Sequence, residues 1–496
     1  DQAPAVVSPG TTGKAAPTAP AVSIPTAPAP VPAPKPPAPV DAKKFASIMK
    51  NKPEPELKVT FTGAELKDFF PDRTPKPALY VCKYVFQPVT FELTDGFNVK
   101  VGNRNFFDST ARYSYSWELK DENGTLQKGK FEVPVLDSGE NATVTIPVKD
   151  FKRKAGALYM LEVHAHENTA LPYAEAGFIC ASEQFVMEGP AATVETSRGK
   201  APIVTESDGC YVLTAGKNVA KIDKSSGMLC GYANAGVEAI SSAFRPNFWR
   251  AGTDNDRRGW KAEELMGEWK DVAVNDVKVT SSTEGNNAVV EAIVTSDGKA
   301  VMNIKYCMHP DGTLGVSYDI KINSQMPEPL RIGLQGQIDS RYSNVTYFGL
   351  GPWENYCDRH AGLFLGAYKT TVEGMMTEYV YPQENGNRTG VRWFTLTDKS
   401  GKGIQILGES PLSISTWNTT QESLEAAKHI GEEKVLEGSF VLNVDCKQAG
   451  VGGTDTWSIK ARPEEHHRLL DKHYSYSFLI RPTNGMKDAV NSARNR

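Results

Sequence analysis

From residue 97 to residue 480 the chain repeats one pattern: short runs in which apolar and polar side chains alternate, rich in β-branched and aromatic types and separated by turn-forming residues. Phe97-Asn-Val-Lys-Val101, Tyr113-Ser-Tyr-Ser-Trp-Glu-Leu119, Lys130-Phe-Glu-Val-Pro-Val135, Ala142-Thr-Val-Thr-Ile146 and Leu158-Tyr-Met-Leu-Glu-Val163 carry it first. Val289-Val-Glu-Ala-Ile-Val294, Gly315-Val-Ser-Tyr-Asp-Ile-Lys-Ile322 and His473-Tyr-Ser-Tyr-Ser-Phe-Leu-Ile480 carry it later. A period of two sends alternate side chains to opposite faces of a strand, so each run needs a second sheet to cover its apolar face. Helical patterning is credible only at 261–270, around Leu265 and Trp269, and at 420–428, where Gln421-Glu-Ser-Leu-Glu-Ala-Ala-Lys-His429 is rich in helix formers. The expected class is all-β.

A chain of 496 residues exceeds one hydrophobic core. Residues 56–188, with an Asn123-Gly124 turn between two runs, suit one antiparallel immunoglobulin-like sandwich of roughly seven strands, with Trp117 in its core. A polar hinge at 189–202 leads to a larger region, 203–482, that reads as a large two-sheet sandwich. Residues 483–496 read as a frayed polar tail. At the other end, residues 1–40 hold twelve of the 32 prolines, interleaved with Ala, Val, Thr and Ser. Such a segment is expected to be an extended polyproline-like spacer of roughly 3 Å per residue, with 41–55 as a charged junction.

The formal charge of −4 gives no reason to expect nucleic acid or an anionic membrane surface as partner. No apolar run approaches the ~20 residues of a membrane span. Seven cysteines without a Cys-x-x-Cys pair suit buried free thiols rather than a disulfide framework. The Asp1 start and the tether favour an extracytoplasmic setting, periplasmic or secreted, with a cytoplasmic one left open.

Chemistry-bearing residues concentrate in Tyr347-Phe-Gly-Leu-Gly-Pro-Trp-Glu-Asn-Tyr-Cys-Asp-Arg-His360. Glu354, Asp358 and Glu384 raise the prospect of paired carboxylates for glycoside hydrolysis. Arg359 and Arg388 stand close in sequence as structural partners, and that reading is preferred. His164 and His166 share one strand face, a zinc-like geometry with no third ligand in view, so a polar strand-end cluster is preferred. The glycines at 349–351 and 450–453 open no helix, which excludes a nucleotide-binding loop.

Five motifs carry a resemblance. They are Phe70-Pro-Asp-Arg-Thr-Pro-Lys-Pro-Ala-Leu79, Pro246-Asn-Phe-Trp-Arg-Ala-Gly-Thr-Asp-Asn-Asp256, the 347–360 stretch, Tyr379-Val-Tyr-Pro-Gln-Glu-Asn-Gly-Asn-Arg388 and Gly450-Val-Gly-Gly-Thr-Asp-Thr-Trp-Ser458. In this order the chain resembles the C-terminal half of a family 2 glycoside hydrolase of the β-galactosidase type. The resemblance implies that 56–188 is the family's second immunoglobulin-like domain. It implies that 203–482 is its small-chain supersandwich, with a mutarotase-like fold.

It further implies that the catalytic glutamates and the magnesium ligands lie in a (β/α)₈ barrel that would precede the Asp-Arg-Thr-Pro motif. No catalytic residue and no cofactor are therefore expected in this chain, which would be inactive alone. Trp457 is the expected sugar-stacking residue, reaching toward a barrel. Asp256 and Gly259 belong to a segment that borders the substrate pocket in the family, although here Gly252 and Cys357 stand where proline is common and the segment after Asp256 shows a one-residue length difference. The equal alternative is that Asp254, Asn255 and Asp256 cap the helix that follows and satisfy turn amides. The expected partner is a barrel-bearing chain, and the expected ligand a galactoside. The competing expectation is a carbohydrate-binding or scaffolding protein, displayed on the tether and without hydrolase activity.

Overall fold

The structure, a computed structural model, describes residues 69–192, 197 and 199–495. The tether and junction expected over 1–55 lie outside the described residues, as does part of the 189–202 hinge. Among the described residues the first domain is two antiparallel sheets. One orders Gly124–Phe131, Tyr113–Asp121, Leu158–Glu167 and Ile179–Glu188; the other orders Val89–Asp95, Asn98–Asn103 and Asn141–Thr145. Their inward positions form the core. Tyr115, Trp117 and Leu119 alternate inward from one sheet and meet Val89, Val99 and Val101 from the other. This is the expected seven-stranded sandwich.

Two details differ. The hairpin closes on Glu122 and Asn123, because Asp121 pairs with Gly124, which sits at φ +125°. The run at 130–135 leaves its strand at Phe131, since Pro134 has no amide to offer a ladder.

The second domain stacks a 5-stranded sheet on a 12-stranded one. The smaller orders Val237–Glu238, Leu229–Asn234, Asn218–Asp223, Cys210–Ala215 and Ile203–Ser207. The main path of the larger begins with Ile240–Asn247, Arg331–Asp339, Ser439–Gln448, Gly403–Trp417 and His473–Thr483. It continues through Leu314–Ile322, Ala300–Met308, Asn287–Ser296 and Asn275–Glu284. A branch, Phe364–Thr371 with Asn344–Gly351 and Arg388–Thr397, joins at Gly403–Trp417. Leu213, Ile222 and Tyr232 of the small sheet share one core with Tyr306, Val316 and Phe478 of the large one. The all-β, supersandwich expectation holds.

Helices exceed the two expected. Both anticipated segments are helical, at Ala262–Met266 with a following 3₁₀ turn and at Gln421–Ala426. Pro77–Val85 is a further helix, entered through proline at its first turn and closed by Lys83 in its last. The frayed tail expected over 483–496 is corrected to a helix, Met486–Arg494. Its Ala489 and Val490 are buried against Met160 of the first domain and Phe348 and Trp393 of the second. Arg494 reaches Asp121 at 2.9 Å and also bonds Glu122. Ends of a chain fray unless something holds them, and here an apolar pair and a buried ion cluster do. The helix ties both domains into one compact unit.

Candidate functional site

The polar centre of the second domain is built around arginines with no exposure. Arg250 donates from Nε and Nη2 to the two carboxylate oxygens of Asp256, each at 2.9 Å. Its Nη1 and Nη2 also donate to the carbonyls of Ala449 and Gly450, at 2.7 and 2.8 Å. Asp256 accepts the Thr253 amide at 2.9 Å and returns its own amide to the Thr253 hydroxyl. One guanidinium therefore clamps the turn that follows Ala251 to the glycine-rich loop two hundred positions later.

The turn itself, Asn255–Gly259, is a single π-helical turn, the local signature of an extra residue in a helix. Gly259 faces Ala461 so closely that a Cβ would overlap that side chain. Asn255 donates to the Ala461 carbonyl at 3.2 Å. Two loops of unrelated sequence thus become one body.

The 347–360 stretch braces the same loop from the other side. Asp358 accepts the Gly452 amide at 2.7 Å, and Gly450 leaves room for the carboxylate. Cys357 donates its thiol toward the Gln448 carbonyl at 3.4 Å. Burial, with the Asp358 charge, pushes this thiol up to about 11, opposite to the direction that activates a thiol. Glu354 is buried, paired with Arg359 and the Tyr379 hydroxyl, and accepts the Gly386 amide at 2.8 Å. Burial raises its pKa, but the Arg359 charge and these bonds outweigh that and hold the carboxyl below its ordinary value.

Glu384 is tied differently from the expectation. Its partner is Arg331, at 2.8 Å, which also faces Asp445 at 3.2 Å. Arg388 instead donates to the Tyr347 hydroxyl and to the Gly386 and Asn387 carbonyls. Two buried carboxylates share the Arg331 guanidinium. Burial, only partly offset by Arg331 and reinforced by Glu384, pushes Asp445 up to about 7. Glu354, Asp358 and Glu384 are thus each engaged by an arginine or a backbone amide.

Trp457 rides on this braced loop. The Asp455 carboxylate accepts the Trp457 amide at 3.2 Å and the Ser458 amide at 3.1 Å, which fixes the turn. The indole is 73% exposed at the tip, with Ile459 beside it in sequence also exposed. Next to the loop lies an open cleft of about 440 Å³, lined among others by Asp254, Arg258, Tyr356, Arg359, Tyr379 and Thr456. The three nominated residues therefore converge on one region with different placements. Asp256 is enclosed and engaged, Gly259 is a close-packing position, and Trp457 points outward. Arg250 and Arg331 were not nominated. Apart from Asp256, six residues after Arg250, their partners lie across loops or sheets, out of reach of a local reading.

His164 and His166 are strand residues bonded to Ser182 at 2.8 Å and Ser116 at 2.7 Å. Among the described residues no three His, Cys, Asp or Glu side chains are arranged to hold a metal ion. No described helix is long and apolar enough to cross a membrane.

Residues 214–480 match the family described as "Beta galactosidase small chain", and residues 99–188 match "Beta-galactosidase, domain 4". A β-galactosidase of Priestia megaterium is 28% identical over 421 residues, covering 83% of this chain and 40% of the relative. One of Photobacterium profundum is 29% identical over 446 residues, covering 83% of this chain and 41% of the relative. The chain thus spans about two fifths of the length of these relatives.

Among solved structures, the putative aldose 1-epimerase b2544 of Escherichia coli K12 aligns over 55% of this chain and 98% of its own. Its sequence identity is 12% and its TM-score 0.30. Two successive domain matches in family order, the first-named covering more than half of the sequence, settle the affiliation: the chain belongs to the β-galactosidase small-chain family and corresponds to the C-terminal part of a β-galactosidase.

Proposed function

We propose that this chain is the non-catalytic C-terminal part, or small subunit, of a retaining β-galactosidase, and that it supports a (β/α)₈ barrel and lends Trp457 to the galactoside site. The observation that carries the reading is the construction of the 449–461 loop. Arg250, itself fixed by Asp256, together with Asp358 and Asp455 holds its backbone, yet its largest apolar side chain is turned to solvent. A rigid flat indole gives the C–H face of a sugar a preorganised platform. The family affiliation supports a galactoside as that sugar. In this reading general acid, nucleophile and magnesium belong to the barrel, while this chain binds and orients. An extracytoplasmic setting is part of the proposal, motivated by the proline-rich segment at 1–40.

The test is to assay a barrel-bearing β-galactosidase chain on a nitrophenyl galactoside alone and with this chain added. Addition should raise kcat/KM, and Trp457→Ala should raise KM by about tenfold, the scale of one aromatic stacking contact. Equal kcat/KM with and without this chain would refute the proposal.

A further inference from the structure

One end of the first domain carries an aromatic surface that packing among the described residues leaves exposed. Phe107 is 100% exposed, Phe106 86%, Phe86 80% and Tyr173 80%. Isolated exposed apolar residues are ordinary, but four large aromatics at one end of one domain are not.

They come from three separate segments that are held together. Arg104 donates its amide to the Pro88 carbonyl at 2.8 Å and its Nη1 to the Val85 carbonyl at 3.2 Å, which joins the Phe106 loop to Phe86. Arg112 bridges Asp108 at 2.8 Å and Glu167 at 3.1 Å, joining the same loop to the segment that carries Tyr173. The Glu167 amide donates to the Phe178 carbonyl, and Lys83 stands 4.4 Å over the Phe178 ring. The rings are thus presented by a braced backbone, the arrangement of a preorganised interface.

Continuity with the Trp457 region points to the occupant. The helix Pro77–Val85 starts beside the cleft next to Trp457, which Lys76 and Ala78 also line, and ends at Phe86. Midway, Tyr80 stacks on the half-exposed Trp353 at 4.4 Å. A body placed to receive Trp457 and extending along this helix reaches the aromatic end. The relatives are more than twice as long as the matched segment, so they contain a body of that size.

We infer that Phe86, Phe106, Phe107 and Tyr173 form the docking surface for the barrel portion of a β-galactosidase. This rests on the proposed function and adds the surface by which it is achieved.

The test titrates the full chain with a separately produced probe, the part of the Priestia megaterium relative that precedes its matched region, followed by sedimentation velocity and calorimetry. The wild type should bind one to one. The double variant F106S/F107S, both positions being solvent-exposed, should melt like the wild type and bind at least about 30-fold more weakly, the scale of a hot-spot pair. Trp457→Ala should weaken binding by less than about tenfold.

Equal binding by F106S/F107S would overturn the docking surface and leave the functional reading standing. No binding by the wild type would remove both. Self-association of the wild type that F106S/F107S abolishes, with barrel binding unchanged, would make a second copy the occupant and overturn the inference.

Discussion

Asp256 offers the most direct check that the Trp457 loop is held by a buried charge pair. In Asp256→Ala, Arg250 keeps the Ala449 and Gly450 carbonyls but loses both carboxylate bonds, and the Thr253 amide loses its acceptor. Three hydrogen bonds to a charged group at roughly 1.5–3 kcal/mol each would suggest a loss above about 4.5 kcal/mol. Relaxation and water entry reduce that, and one-sided removal of buried ion pairs costs about 3–5 kcal/mol, so about 4 kcal/mol is expected. Asp256→Asn retains an acceptor for Thr253 and one for Arg250, and should cost about half as much.

The assay is urea unfolding followed by tryptophan fluorescence for Arg250→Met, Asp256→Ala and the double variant. The cycle should return a coupling of at least about 2 kcal/mol, because the two residues act as one unit. Limited proteolysis should find new cleavage in 449–461 for Asp256→Ala. A loss below about 1 kcal/mol, or strict additivity, would refute the clamp and leave Asp256 free for another role.

Trp457→Ala should leave stability within about 0.5 kcal/mol of wild type by the same urea assay, since the indole is largely solvent-exposed. Asp445 holds its proton more tightly folded than unfolded between its ordinary 3.8 and about 7, so its contribution to stability falls as pH rises through that window. Asp445→Asn should therefore show a smaller drop in unfolding midpoint from pH 5 to pH 8 than the wild type. Glu354 has the opposite sign, its pKa being lowered, so its contribution is lost on acidification, and Glu354→Gln should flatten the acid limb of the same curve. Removing residues 485–496 takes away the Arg494 ion cluster and uncovers Met160, Phe348 and Trp393. Calorimetry should then split one unfolding transition into two, with a single unchanged transition counting against the helix as an interdomain tie.

Several features were open to reading in the linear sequence because their causes are local. Alternation in Tyr113–Asp121 or Leu314–Ile322 is a property of neighbouring residues, and it suffices to declare strands, two faces and hence layered sheets. Asp455 two and three positions before Trp457 and Ser458 likewise forms its turn with adjacent amides. The ordered motifs, being linear strings, identified the family and nominated Trp457, Asp256 and Gly259.

What tertiary structure decided is which charges meet. Arg250 lies six residues from Asp256 but its other acceptors are Ala449 and Gly450, and Arg331 finds Glu384 and Asp445 across the second domain. Proximity in sequence favoured Arg388 for a carboxylate, whereas the sheet placed Arg331 there and turned Arg388 toward carbonyls. The same holds for the last helix. Met486–Arg494 is polar when read alone, and only the junction of the two domains supplies the apolar cleft and the acidic pair that make it fold. Local pattern thus determined class and order, while long-range packing determined which buried groups are neutralised and left Trp457 outside among the loops it belongs to.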